Sequence, residues 1–262
     1  MHTLRILLLG LRVGWREFSN YWTPTTWLLG WMARILGQAA FFALLGRLLE
    51  SDDSVRFLLI GNSVVVGGMA ANWAVPASTW DRSSGVYPLL VIAPTSMLPA
   101  IIGRTSIWMV NGIASSLMAF LVLGMVFSVR LPLPEALLLA LFVPLTCVSA
   151  FSFALFLGCL VVRVPRLRNI LFLNATSLAM VACGVSVPVE YWPRVVQIIA
   201  NLLPLTHGLH AIRLLLDGAS AGPILEATAL EVSVALSWLI ISMLLMDRLA
   251  DAGRREGSIE LV

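Results

Sequence analysis

Six apolar stretches separated by short polar turns leave this chain essentially one way to fold. They run near Trp27 to Leu45, Phe57 to Ala77, Ser106 to Phe127, Ala136 to Val162, Ile170 to Val187 and Ala227 to Met246. A helix needs roughly 20 apolar residues to cross the hydrocarbon of a bilayer. With 59% hydrophobic and 12% charged residues over 262 positions, the chain could not cover a water-facing surface of this size. The pattern predicts an all-α membrane protein of six transmembrane helices, built as a single domain over residues 1–262.

Three segments stand outside the spans. Residues 1–20 place Leu4, Leu7, Leu8, Leu11, Trp15 and Phe18 on one helical face, with Arg5, Arg12 and Arg16 along its flank. That pattern predicts an amphipathic helix in the headgroup layer, in contact with membrane lipids. Residues 80–98 are too polar and too broken by proline to span. Residues 188–222 carry Pro188, Pro193 and Pro204 with Glu190, His207, His210 and Arg213. Irregular backbone at membrane depth survives only where protein or water surrounds it, so this stretch is predicted to form short re-entrant helices.

Arginine sets the orientation. Every basic residue other than histidine is arginine. An internal N-terminus puts eleven of the 17 in internal segments and five in external ones, with Arg34 inside the first span. Internal N- and C-termini follow from the positive-inside bias. Counting Leu202 to Leu216 as a seventh span would move Arg248, Arg254 and Arg255 outside and force two histidines and an arginine across, so six spans are preferred.

Without lysine no phosphate-binding Gly-x-x-x-x-Gly-Lys loop is possible, and the chain is not expected to hydrolyse nucleotides itself. Cys147, Cys159 and Cys183 sit singly in apolar runs and read as core thiols. His207 and His210 with Glu190 make a weak metal set, and no metal site is expected. The histidines lie outside the spans, against an intramembrane protease. No nucleic-acid module is visible. Arg34 and Glu231 are the isolated charges within spans, where an ionisable residue is costly and points to a partner.

Three stretches together resemble the permease family of ABC-2 type transporters, which includes antibiotic-resistance, lipo-oligosaccharide and polysaccharide exporters. They are Asp81-Arg-Ser-Ser-Gly-Val-Tyr-Pro-Leu-Leu-Val-Ile-Ala-Pro-Thr-Ser96, then Pro188-Val-Glu-Tyr-Trp-Pro193 with Leu203-Pro-Leu-Thr-His-Gly-Leu-His-Ala-Ile-Arg213, and the last helix with its Arg254-Arg-Glu-Gly257 tail. Where many relatives carry a glutamate after the loop glycine, this chain has Val86 and Tyr87. The resemblance implies a permease in the cell inner (plasma) membrane that moves a hydrophobic or amphipathic substrate outward. It would pair with a second copy or homologue and with two separate ATPase subunits, which hold the ATP and Mg. It also implies that residues 80–98 couple to the ATPase through Arg82, Gly85, Tyr87, Leu89, Leu90 and Pro94. The external element, with Glu190, Pro204, Thr206, His207 and Arg213, would cap the exit.

Within the spans Asn62, Asn72, Asn174, Ser177 and Arg34 are the polar groups expected along a substrate path, which the second and fifth spans would line at the dimer interface. The alternatives are a polysaccharide or lipo-oligosaccharide permease, or a stand-alone secondary transporter. No inverted repeat or carboxylate pair favours the latter. The topology predicts that a cysteine at Gly257 is labelled only from the inner side and one at Thr206 only from the outer side. Outer labelling at Gly257 would overturn it.

Overall fold

The computed structural model describes residues 2–83, 98–128 and 133–256, and these contain helices and turns with no strand. The helices are α1 (His2–Tyr21), α2 (Pro24–Leu48), α3 (Asp52–Ala71), α4 (Ala74–Ser83), α5 (Leu98–Val126), α6 (Leu133–Arg163), α7 (Arg168–Ala182), α8 (Arg194–Leu202), α9 (Thr206–Leu216) and α10 (Ala221–Glu256). Among the described residues five segments are long and apolar enough to cross a membrane: α2, α3 with the start of α4, α5, α6 and α10. The pair α8 and α9 passes the same test only when joined, and it is bent by 90°.

The second span is the centre of the bundle. Residues Leu58 to Gly68 of α3 are buried on every side, among α2, α5, α6, α7 and α9. Glycine makes that possible. A Cβ on Gly112 would lie 2.5 Å from the Gly67 carbonyl oxygen, and one on Gly67 would lie 2.7 Å from Cys147 Sγ. Without a hydrophobic drive between helices in lipid, such close backbone approach and interhelical hydrogen bonds supply the cohesion. Ser116 donates to the Ser63 carbonyl at 2.7 Å across the same α3–α5 contact.

The first span starts earlier than its apolar run predicts, at Pro24, with a π-helical stretch over Trp27–Met32. Its tryptophans bond the neighbouring helix α5. Trp27 Nε1 donates to Asn111 Oδ1 at 2.7 Å and Trp31 Nε1 to Ser115 Oγ at 3.0 Å. Both acceptors lie on α5 four residues apart, matching the spacing of the two indoles. The fourth span continues unbroken through Pro144.

α7 is shorter than predicted. It ends at Ala182, because Gly184 takes a left-handed conformation (φ 78°) and the chain bends through residues 183–187. At 15 residues it is about 22 Å long, short of the roughly 30 Å hydrocarbon core. It nevertheless runs antiparallel along most of α3. Asn72 bonds the Phe172 carbonyl near one end, while Gly61 lies against the Val185 carbonyl near the other.

α1 packs across α5 instead of lying free. Gly10 and Gly14 face Ala100, Gly103 and Arg104, and a Cβ on Gly14 would collide with the Arg104 carbonyl oxygen. Glu17 clamps Arg104 through two contacts of 2.8 Å. The predicted apolar face therefore splits. Phe18 packs edge-on against Trp108, at 5.5 Å between ring centroids, while Leu4, Leu8 and Trp15 stay exposed.

Gly14→Leu should push α1 off α5, since filling so tight a contact costs about 1–3 kcal/mol. Trypsin should then cleave after the exposed Arg12 and Arg16 several-fold faster. Gly37→Leu, at a glycine with open space around it, should leave the rate unchanged. Equal rates in the two variants would show that the glycine contact does not hold α1.

Candidate functional site

The α8–α9 pair forms a hairpin whose turn is set by sequence. Pro204 cannot donate to a helix and disfavours helical backbone at the residue before it; Leu203 is extended (φ −82°, ψ 148°). Leu205 follows in a left-handed conformation at φ 78°, strained for a branched residue. It has no side-chain cap to offer the first turn of α9. The cap comes from α10. Glu231, fully buried, accepts the Leu205 N–H on one carboxylate oxygen and the Gly208 N–H on the other, both at 2.9 Å. Two orphan donors at a helix N-terminus and a carboxylate satisfy one another.

Three more contacts close the tip. Thr206 Oγ1 donates to the Ala200 carbonyl at 2.6 Å, and Trp238 Nε1 to the Leu202 carbonyl at 2.9 Å. Gly208 lacks the Cβ that would strike Thr146 and crowd Glu231. The depth of the tip follows from its neighbours. Leu205 packs against Gly68 of α3, whereas the other end of α9 meets the start of α3 through Arg56, which bonds the Leu216 carbonyl and pairs with Asp217 at 3.4 Å. Twelve residues separate Arg56 from Gly68, about 18 Å along the helix. The turn between α8 and α9 therefore lies in the middle of the bundle, far from the end marked by Arg56. Thr206 is buried at its tip, not displayed on an outer surface, and a labelling reagent would be better aimed at exposed Ser220.

Near its other end α9 is pinned by Arg213. The guanidinium donates to the carbonyls of Gly184 (2.7 Å), Phe57 (3.3 Å) and Val185 (3.4 Å) and lies 3.6 Å above the Phe57 ring. One side chain thus joins α9, the bend after α7 and α3. Pro204 and Thr206 sit at the tip, Arg213 near the rim, and His207 and Glu190 between α9 and the chain leading into α8.

The polar residues expected along a path are dispersed. Asn62 is fully buried inside the bundle, its amide donating to the Leu58 carbonyl of its own helix. Asn72 reaches across to α7, donating to the Phe172 carbonyl at 2.9 Å and Thr176 Oγ1 at 3.1 Å. It lines a small cavity of about 20 Å³ shared with Thr176 and Leu205. Asn174 and Ser177 lie on the exposed face of α7 and bond only carbonyls one turn back. Arg34 is exposed, its guanidinium 5.5 Å from the centre of the Trp31 ring. Gly85, Tyr87, Leu89, Leu90 and Pro94 lie outside the described residues. Arg82 lies in α4, but its side chain lies outside them too. Among the described residues no three His, Cys, Asp or Glu side chains are grouped to hold a metal ion.

Glu231 is the site residue that sequence only half revealed: an acid inside the last span announces a partner, but not which one. Glu231→Leu leaves two buried N–H groups unsatisfied, costing roughly 3–5 kcal/mol. Glu231→Gln keeps one acceptor and should cost about 1–2 kcal/mol. Thermal unfolding of the purified protein in detergent should rank wild type above Gln above Leu. Equal midpoints would show that the cap carries no weight.

The family model of the ABC-2 type transporter matches residues 11–216, from α1 to the end of α9. No curated protein and no solved structure matches the chain. The matched region covers the second half of α1, the helices from α2 to α7 and the α8–α9 pair. The chain is thus an integral membrane protein of the ABC-2 type transporter family, the permease subunit that works with an ABC ATPase.

Proposed function

We propose that the chain is the permease half of an ATP-driven exporter that moves a hydrophobic or amphipathic molecule outward. The observation that carries this reading is the re-entrant hairpin: a polar, capped element closing one end of the bundle while α1 lies towards the other. Arginine bias supports an outer position for the hairpin, since Arg163, Arg166, Arg168 and Arg248 lie at the opposite ends of the helices they flank. ATP and Mg belong to the ATPase, which residues 80–98 would contact.

A second copy is supported by α7. Ile170, Leu173, Asn174, Ser177, Leu178 and Val181 form one uncovered stripe. Asn174 and Ser177 each bond a carbonyl one turn back, but the remaining capacity of the Asn174 amide finds no partner in hydrocarbon, whereas a facing copy offers one. The second span lies inside its own bundle, so of the two spans expected at the contact between copies only α7 is free to make it. The amphipathic-substrate reading is favoured over sugar export by the tryptophans. Trp73 stacks on Trp108 at 5.4 Å and meets Trp31 and Phe172 edge-on, so these rings are engaged mainly with one another.

The test is a purified complex of this chain with its ABC ATPase subunit. Asn174→Cys should form an intermolecular disulfide on mild oxidation, while Ile240→Cys, on the exposed face of α10, should not. Inside-out vesicles should take up an amphipathic dye only with ATP. Uptake without ATP, or crosslinking at Ile240 and none at Asn174, would refute the reading.

A further inference from the structure

Between α8, α9 and the bend after α7 lies a cavity of about 300 Å³, at the small end of ligand pockets, which run roughly 300–1,000 Å³. Its lining is far more polar than the bundle around it. His207, His210 and Arg213 stand three residues apart on the wall formed by α9, so they climb it in steps of about 4.5 Å. Gln197, Asn201 and Glu190 face them from the α8 side. The slot therefore runs from the buried tip at Thr206 up to the rim at Arg213.

Arg213 shows what the slot lacks. Its guanidinium is held by three carbonyl oxygens and a phenyl ring, and among the described residues no carboxylate lies within ion-pair distance. Asp217, one turn on, is engaged by Arg56. Asp217 and Glu190 act on Arg213 only across space, and a largely buried cation without a direct ion pair is costly. Carbonyls relieve only part of that cost, and their requirement for a donor does not explain a full charge. The neighbouring donors are also uncommitted: neither the His210 ring nor the Asn201 amide has a hydrogen bond among the described residues, and both are exposed. The His207 ring is oriented by a contact of 3.1 Å between Nε2 and the Asn201 carbonyl, in which the ring nitrogen donates. A fixed cation with a column of N–H donors beside it suits a multivalent oxygen anion.

We propose that this slot binds the phosphate of an anionic group, with Arg213 as the charge and His210 and Asn201 as donors. Glu190, also at the lining, opposes the anion and limits its affinity. The phosphate can come from the head group of an amphiphile in the adjoining leaflet or from free phosphate in the medium. The assignment to the outer face rests on the export reading; binding itself does not.

The full-length protein in nanodiscs of phosphatidylcholine is titrated with dihexanoyl phosphatidic acid and, separately, with inorganic phosphate. Saturable binding of the lipid is expected. His210→Ala should weaken it by about tenfold or more. Glu190→Gln should strengthen it by roughly three- to tenfold, because a like charge is removed. Both residues are exposed and neither side chain carries a fold contact, so the variants should elute as wild type does. If inorganic phosphate binds with the same pattern of variants, the source is free phosphate. If only the lipid binds, the source is a head group. No saturable binding of either, or equal affinity in both variants, overturns the proposal. The measurement uses no ATPase, so its failure would leave the export reading standing, and absence of ATP-driven uptake would leave this site standing.

Discussion

Hydrocarbon offers no hydrogen bond, and the structure is organised around meeting that constraint where the chain stops being regular helix. Breaking a helix at membrane depth exposes N–H groups that only protein can satisfy. The hairpin of α8 and α9 breaks at Pro204 and turns back at Leu205, so the first N–H groups of α9 point into the bundle with no water at hand. Glu231 answers both. The carboxylate needs the donors as much as they need it, and neither is tolerable there alone. This mutual need couples α10 to the hairpin, and through Trp238 it also couples α10 to the end of α8.

The same constraint explains the crowding around α3. The bent pair α8–α9 occupies space inside the bundle that a straight spanning helix would fill differently. α3 admits it with glycine: Gly68 receives the Leu205 side chain and Gly61 receives the backbone at Val185. Bulk at either position would move the hairpin, not merely strain a side chain. Arg213 then fixes the rim by gathering carbonyls from the bend at Gly184 and Val185 and from Phe57 in the early turns of α3. Backbone groups left over by the bend after α7 are thereby matched to a donor on α9.

Much of this was legible in the sequence. The apolar runs located the long helices, and prolines with histidines between the fifth and sixth runs located the hairpin. The early end of α7 was not, because residues 183–187 are as apolar as the helix before them, and only the left-handed Gly184 stops it. Facing was also hidden. In lipid, the surface of a helix and the core of a bundle are equally apolar. Asn62 and Asn174 therefore looked alike in sequence, although one is wholly enclosed and the other lies on the open face of α7. The role of Trp27 and Trp31 was hidden for a related reason. An indole suits an interfacial belt, but its N–H is as well satisfied by Asn111 or Ser115 in a neighbouring helix.

The short α7 and the hairpin are best understood together. A helix of about 22 Å leaves part of the bilayer thickness uncrossed. The chain covers the remainder with a bend and two short helices, none of which is apolar on all sides. A straight continuation of α7 would have presented Val185, Ser186 and Val187 to lipid and left no interior surface. Bending at Gly184 creates one, and the polar side chains of α9 line it. The polar slot is thus a consequence of how this fold completes its crossing, and the charge at Arg213 is tolerable because the bend that opens the slot also supplies the carbonyls that hold the guanidinium.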